Sequence, residues 1–346
     1  GNITITSATS TFTYDSSTNQ TLSGTISGAG TLKKTTSESS RLRLTGTNSS
    51  YSGTINADAG ILSIGSNAAL GTTAGTTTIG TASTAATLEV DNNITISEPI
   101  TIRGDGVTES AATVGAIRNT SGTNTISGQV TMAAASQVQI DSDSSLTLSG
   151  GVTGTNVNLT VDGVGTSSIA AVTTGSGTIT KQGAGTLTLS GANTFTGSTT
   201  IADSGGTIAV TGTLGAGSTP ASYSASITLG SSTILEFAST SDQVLTSVIA
   251  DGAGVTSSFA EVKKTTGTTS TLTLSGNNTY SGATTVSGGT LKVSHSNALG
   301  TTTSGTTVAS GATLEVAGAG SLSTGEPMTI SGTGVSAVGA INFSAN

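Results

Sequence analysis

Cysteine and tryptophan are absent from this 346-residue sequence, and only five Phe and four Tyr supply aromatic rings. Without Cys there are no disulfides, no thiolate nucleophiles and no Cys-based metal sites. Proline is scarce, at three residues, and the 49 glycines do not fall at every third position, so a collagen-type helix is excluded. Charged residues make up 8%, with ten Lys plus Arg against 18 Asp plus Glu for a net charge of −8. Ten scattered cations cannot displace the counterions of a polyanion, so no nucleic-acid partner is expected. No apolar run approaches the ~18 residues of a membrane span, so no direct membrane insertion of this segment is expected. Large apolar anchors are too few for a single compact core.

Hydroxyl side chains fill the gap: 73 Thr and 54 Ser, 127 residues in all. With abundant Val and Ile they make disorder a poor reading, because disordered chains lack β-branched residues. Apolar residues alternate with Thr and Ser over short stretches, then give way to Gly, Asn or Asp. That is the period of short half-buried strands bounded by turns, and no long helical period competes with it.

Internal repeats decide the arrangement. Leu42-Arg43-Leu44-Thr45-Gly46 with Asn48 and Tyr51-Ser52-Gly53 shares its plan with Leu187-Thr188-Leu189-Ser190-Gly191-Ala192-Asn193-Thr194-Phe195-Thr196-Gly197. Leu272-Thr273-Leu274-Ser275-Gly276-Asn277-Asn278-Thr279-Tyr280-Ser281-Gly282 follows it again. The first and third copies run in parallel further: Leu70 matches Leu299, Leu88 matches Leu314, Glu98-Pro99 matches Glu326-Pro327, and Ile117 matches Ile341. Upstream, Lys33-Lys34 recurs as Lys263-Lys264. The repeat-like units lie near 32–103, 181–237 and 262–341.

Short strands in a chain too poor in large side chains for a sandwich wind into a solenoid of stacked coils. The expectation is an all-β chain, one continuous β-solenoid and a single elongated rod over 1–346. At roughly 20 residues per coil and ~4.8 Å between stacked strands it would hold about 17 coils. Ile341-Asn342-Phe343-Ser344-Ala345-Asn346 stops where Ile117 runs on, and appending Gly1-Asn2-Ile3-Thr4 completes it. The chain is therefore expected to be one unit of a longer tandem array.

The motif Leu-Thr-Leu-Ser-Gly-x-Asn-Thr-(Tyr/Phe)-(Ser/Thr)-Gly, ending in Gly-Gly-Thr-Leu-Lys-Val, resembles the passenger-associated transport repeat of bacterial autotransporter adhesins. It is best seen at 271–293, then at 185–210, and more loosely at 41–64. The resemblance implies a right-handed parallel β-helix, exported through an outer-membrane barrel to the surface of a Gram-negative cell or the extracellular space.

Candidate chemistry is sparse. His295 is read as an exposed turn residue, because Ser66 stands at the matching place. Asp141-Ser142-Asp143-Ser144-Ser145 begins like a calcium loop but lacks its Gly and Glu, so a polar turn is expected. Glu89, Glu236 and Glu315 lie between apolar neighbours and should point outward onto a solvated face instead of converging as an acid/base pair. Glu98-Pro99 and Glu326-Pro327 read as turns. Gly332-Thr333-Gly334-Val335-Ser336-Ala337 opens no helix and so makes no phosphate loop. Lys33, Lys34, Lys263, Lys264, Arg41, Arg43 and Lys181 read as minor basic spots that discourage sideways strand pairing. Tyr51, Phe195 and Tyr280 should pack beside the Asn-containing turn. No catalytic, cofactor-binding or metal-ligating residue is assigned, and no cofactor is expected.

The function expected is non-enzymatic: a stiff stalk or fibre in cell adhesion or cell–cell association. Its partners would be a like chain, end to end or side to side, or a glycan or protein on a host or neighbouring cell. The alternatives are a polysaccharide-cleaving β-helix enzyme and a subunit of an end-to-end extracellular filament.

Overall fold

The computed structural model describes residues 1–36, 39–203, 205–215, 219–266, 269–318, 322 and 325–344. The expected seam at Ala345-Asn346 lies outside the described residues. The chain divides into two compact units, Gly1–Thr174 and Gly175–Asn346, and each is a parallel β-solenoid.

In the first unit, the Thr-Leu alternation makes strands whose apolar residues point to the axis while their neighbours face outward. Arg41–Leu44 pairs with Gly60–Ile64, which pairs with Ala86–Val90, then Ile117–Asn119 and the second half of Val130–Ile140, then Leu159–Gly163. Register aligns Leu42, Leu62, Leu88, Ile117, Val138 and Val161 into one buried column. A second face runs from Thr31–Lys34 through Thr54–Ala57, Thr76–Ile79 and Ile100–Gly104 to the first half of Val130–Ile140 and on to Val152–Gly154. A third stacks Ile96, Ile126, Leu148 and Ile169.

The second unit repeats the scheme. Leu245, Leu274, Val293 and Val316 form one inner column, and Leu272, Leu291, Leu314 and Ile341 another. Another face stacks Ile208, Leu235 and Val262.

Coils are longer and less even than the expected ~20 residues. Thr271 stands opposite Thr290, 19 positions on, whereas Thr95 stands opposite Thr125, 30 positions on. The chain consequently makes about 14 turns, fewer than the 17 expected. Insertions sit at corners, where a loop lengthens, except that the register against Val130–Ile140 shifts between Ile102 and Gly104. One of them, Thr108–Glu109 with Ala112–Thr113, is an antiparallel hairpin. Ser110 and Ala111 take φ of 50° and 70° at its tip, the left-handed pair that a two-residue hairpin turn demands.

Candidate functional site

Three corners are built alike, one in each repeat. Strand alternation that buries Leu32 also buries Lys34, two residues on. Lys34 is 1% exposed, and its Nζ donates to the Thr36 carbonyl at 2.8 Å and to Ser40 Oγ at 2.6 Å. Lys264 repeats this with the Thr266 carbonyl and with Ser270 Oγ at 3.0 Å. Lys181, equally buried, donates to the Gln182 carbonyl and to that of Gly183 at 2.9 Å. Desolvation pushes Lys34 down to about 8 and lowers Lys264 as well. The reading of these three lysines as outward basic spots is corrected: each ammonium ties down corner carbonyls from inside. Lys33 and Lys263 do face outward, paired at 2.9 Å with Asp58 and Glu261 respectively.

The motif Asn spans three coils. Asn48 Oδ1 accepts from Ile26 N–H at 2.8 Å behind it, and its Nδ2 donates to the Ala69 carbonyl at 2.7 Å ahead. Asn278 does the same with Ile249 N–H at 2.9 Å and the Ala298 carbonyl at 2.6 Å. Asn193 Nδ2 reaches the Thr213 carbonyl of the following coil at 3.0 Å.

The aromatic of the motif packs inward beside this turn, as expected for Tyr51, Phe195 and Tyr280. Tyr51 Oη accepts from Leu32 N–H at 3.0 Å and is 2.8 Å from the carbonyls of Gly30 and Thr54. Tyr280 Oη shares a hydrogen bond with Thr284 Oγ1 at 2.7 Å. Phe195 has no hydroxyl, and Tyr223 from the next coil supplies one. Its ring meets Phe195 edge-on at 5.5 Å, and its Oη reaches Thr199 Oγ1 at 2.8 Å and the Gly197 carbonyl at 2.5 Å. Gly71 and Gly300 then cross above the two Tyr carbonyls at φ of 99° and 83°. A Cβ on either would sit within 2.4 Å of that oxygen, which is why the Leu-Gly step must end in glycine.

The outer face of the first unit holds an ion-pair ladder. Arg41 forks onto Glu89 at 2.6 and 2.7 Å, and Arg43 onto Asp91 at 2.7 and 2.8 Å. Arg118 reaches Asp141 at 2.9 Å and Glu109, on the hairpin, at 2.7 Å. Glu89 does point outward, but it is 4% exposed because Arg41 and Arg118 cover it, so the expected solvated face is corrected here. Asp141 is committed to Arg118, and Asp143 is an exposed turn residue at φ 57°. In the second unit Glu315 Oε1 accepts from Lys292 Nζ at 2.8 Å and Ser344 Oγ at 2.6 Å, which lowers its pKa. Glu236 Oε1 accepts from Thr265 Oγ1 at 2.6 Å. Glu89, Glu109 and Asp141 thus meet around Arg118, whereas Glu236 and Glu315 lie on different faces of the second unit.

Glu98 is different. It follows the strand Thr95–Ile96, is 2% exposed, and accepts at Oε1 from Thr77 Oγ1 at 3.0 Å. Desolvation raises its pKa to about 8. Its counterpart Glu326 accepts from Thr306 Oγ1 at 2.9 Å and is also raised by burial. The Glu-Pro step is thus more than a turn: it turns a carboxyl into the stack. In the sequence each carboxyl lies beside a short strand, Glu98 two residues after Thr95–Ile96 and Glu326 two residues before Met328–Ile330. His295 sits at a turn, half-buried, with Nδ1 accepting from Asn297 N–H at 3.1 Å. Val335–Ala337 forms one 3-10 turn, with Ser336 and Ala337 at positive φ.

The passenger-associated-transport-repeat family matches this chain in three places, residues 37–64, 179–210 and 266–293. No curated protein and no solved structure matches it. Each matched stretch contains one of the corners described above, with Asn48 and Tyr51, Asn193 and Phe195, or Asn278 and Tyr280. On that coincidence of motif and corner, the chain is a bearer of three passenger-associated transport repeats.

Proposed function

We propose that this chain is part of the exported passenger of a bacterial surface or secreted protein, serving as a stiff, non-catalytic scaffold in adhesion or cell–cell association. The observation that carries the reading is the repeated corner: an Asn staple and a buried aromatic recur in each transport repeat of a parallel stack. Such a stack gains its stability coil by coil from nearest-neighbour contacts, without a globular core. Export is supported by the transport-repeat matches, and adhesion by outer faces rich in Thr, Ser and Asn. The test is display of the chain on an outer-membrane barrel, with settling of the cell suspension compared with the barrel alone. Faster settling is expected, and settling equal to the barrel's would overturn the adhesive role. Release of reducing ends from a polysaccharide panel would overturn the non-catalytic one.

A further inference from the structure

The first unit contains a cavity of about 440 Å³ against the Glu98 corner, within the ~300–1,000 Å³ span of small-molecule sites. Two of the residues lining it carry buried polar atoms that no group among the described residues satisfies: Glu98 Oε2 and Thr72 Oγ1. Buried polar groups are nearly always hydrogen-bonded, so two orphans on one cavity call for a partner. We propose that this cavity is a subsite for a neutral sugar residue of a glycan, an assignment whose biological meaning rests on the adhesive reading above.

The chemistry of the lining selects that class. Glu98 is the single ionisable side chain on the cavity wall. Burial keeps its carboxyl uncharged below pH ~8, so it offers a donor and an acceptor and no fixed charge. No cation lines the wall to hold an anion, and no second acid is there to share a metal or an ammonium. Thr72, Thr73 and Asn67 add hydroxyl and amide groups, while Leu70 and Ile96 supply apolar patches for the C–H face of a pyranose. The third repeat places Thr301, Thr302 and Glu326 at matching positions, so the corner chemistry is duplicated.

The full chain is titrated with methyl glucoside and methyl galactoside (neutral), glucosamine (cationic) and glucuronate (anionic), read by saturation-transfer NMR. The same titrations are run on Thr72→Val and Glu98→Gln, with circular dichroism melts to confirm folding. Saturable binding of a neutral glycoside is expected, weakened at least about tenfold, or about 1.4 kcal/mol, by Thr72→Val and kept by Glu98→Gln, whose uncharged amide still offers a donor and an acceptor. If Glu98→Gln does not fold, Thr72→Val carries the test. No saturable neutral binding, unchanged binding in folded Thr72→Val, loss of binding in folded Glu98→Gln, or preference for glucosamine or glucuronate would each overturn the subsite. Wild-type cells that clump with no sugar bound would sink the subsite and leave adhesion standing. Sugar binding without clumping would do the reverse.

Discussion

The first and third repeats share an interior and differ outside. Leu42, Leu44, Asn48, Tyr51, Leu88 and buried Lys34 have Leu272, Leu274, Asn278, Tyr280, Leu314 and Lys264 as counterparts, all buried. On the outer face, Arg41 and Arg43 of the first repeat are replaced by Thr271 and Thr273 in the third. The forked pairs onto Glu89 and Asp91 therefore have no equivalent there among the described residues, where Lys292 pairs with Glu315 at 2.8 Å and Lys263 with Glu261 at 2.9 Å. Inner positions answer to the coils above and below, which fix side-chain size to within a methylene. Outer positions answer to solvent and neighbours, and can change without disturbing the stack.

If that division is right, truncating an inner column should hurt both repeats equally. Leu88→Ala and Leu314→Ala are each expected to cost ~2–5 kcal/mol, read from denaturant midpoints or from amide exchange of the flanking strands. Unequal losses would break the comparison. Next in size, Asn48→Ala and Asn278→Ala leave a buried N–H and a buried carbonyl without partners, each worth ~1–3 kcal/mol. Exchange should speed at Ile26 and Ile249, the amides each Asn caps.

Outside, the two repeats should part company. Arg41→Ala removes a forked, charge-assisted contact from a covered Glu89, an expected loss of ~1.5–3 kcal/mol. Lys292→Ala breaks a pair that is partly open to water and should cost ~1 kcal/mol or less, vanishing in high salt. Equal losses would show that the outer ladder is as structural as the core.

The last test concerns pH. Glu98 has its folded pKa raised from 4.5 to about 8, so its contribution is fully present below pH 4.5 and is lost as pH rises through 8. Lys34 is lowered from 10.5 to about 8, so stability returns as pH climbs from 8 toward 10.5. The melting temperature of wild type should therefore decline from pH 5 to 8 relative to Glu98→Gln. Parallel curves for the two proteins would remove Glu98 from the account.

Much of this was legible in advance. The alternation in Leu272-Thr273-Leu274 and its repetition at Leu42 and Leu187 declare stacked parallel strands, and the structure has them in that register. The motif also located the inward aromatic. Coil length was not legible, because corners absorb insertions that leave no trace in strand periodicity. The hairpin at 108–113 carries no Asn-Gly or Asp-Gly signature, so its return of Glu109 to Arg118 stayed hidden. Lys34 was misplaced by its charge even though its position, two after Leu32, already put it inside. Glu98 was misplaced by the Pro that follows it, which reads as a surface bend.

Asn48 bonds to residues 22 positions behind it and 21 ahead. In a chain that reaches water one residue at a time, its corner cannot be completed until both Ile26 and Ala69 have arrived. The last coil formed is then always provisional, and the one before it becomes permanent only when its successor lands. Growth of the stack in this way has a built-in delay, like masonry in which each course is locked by the next.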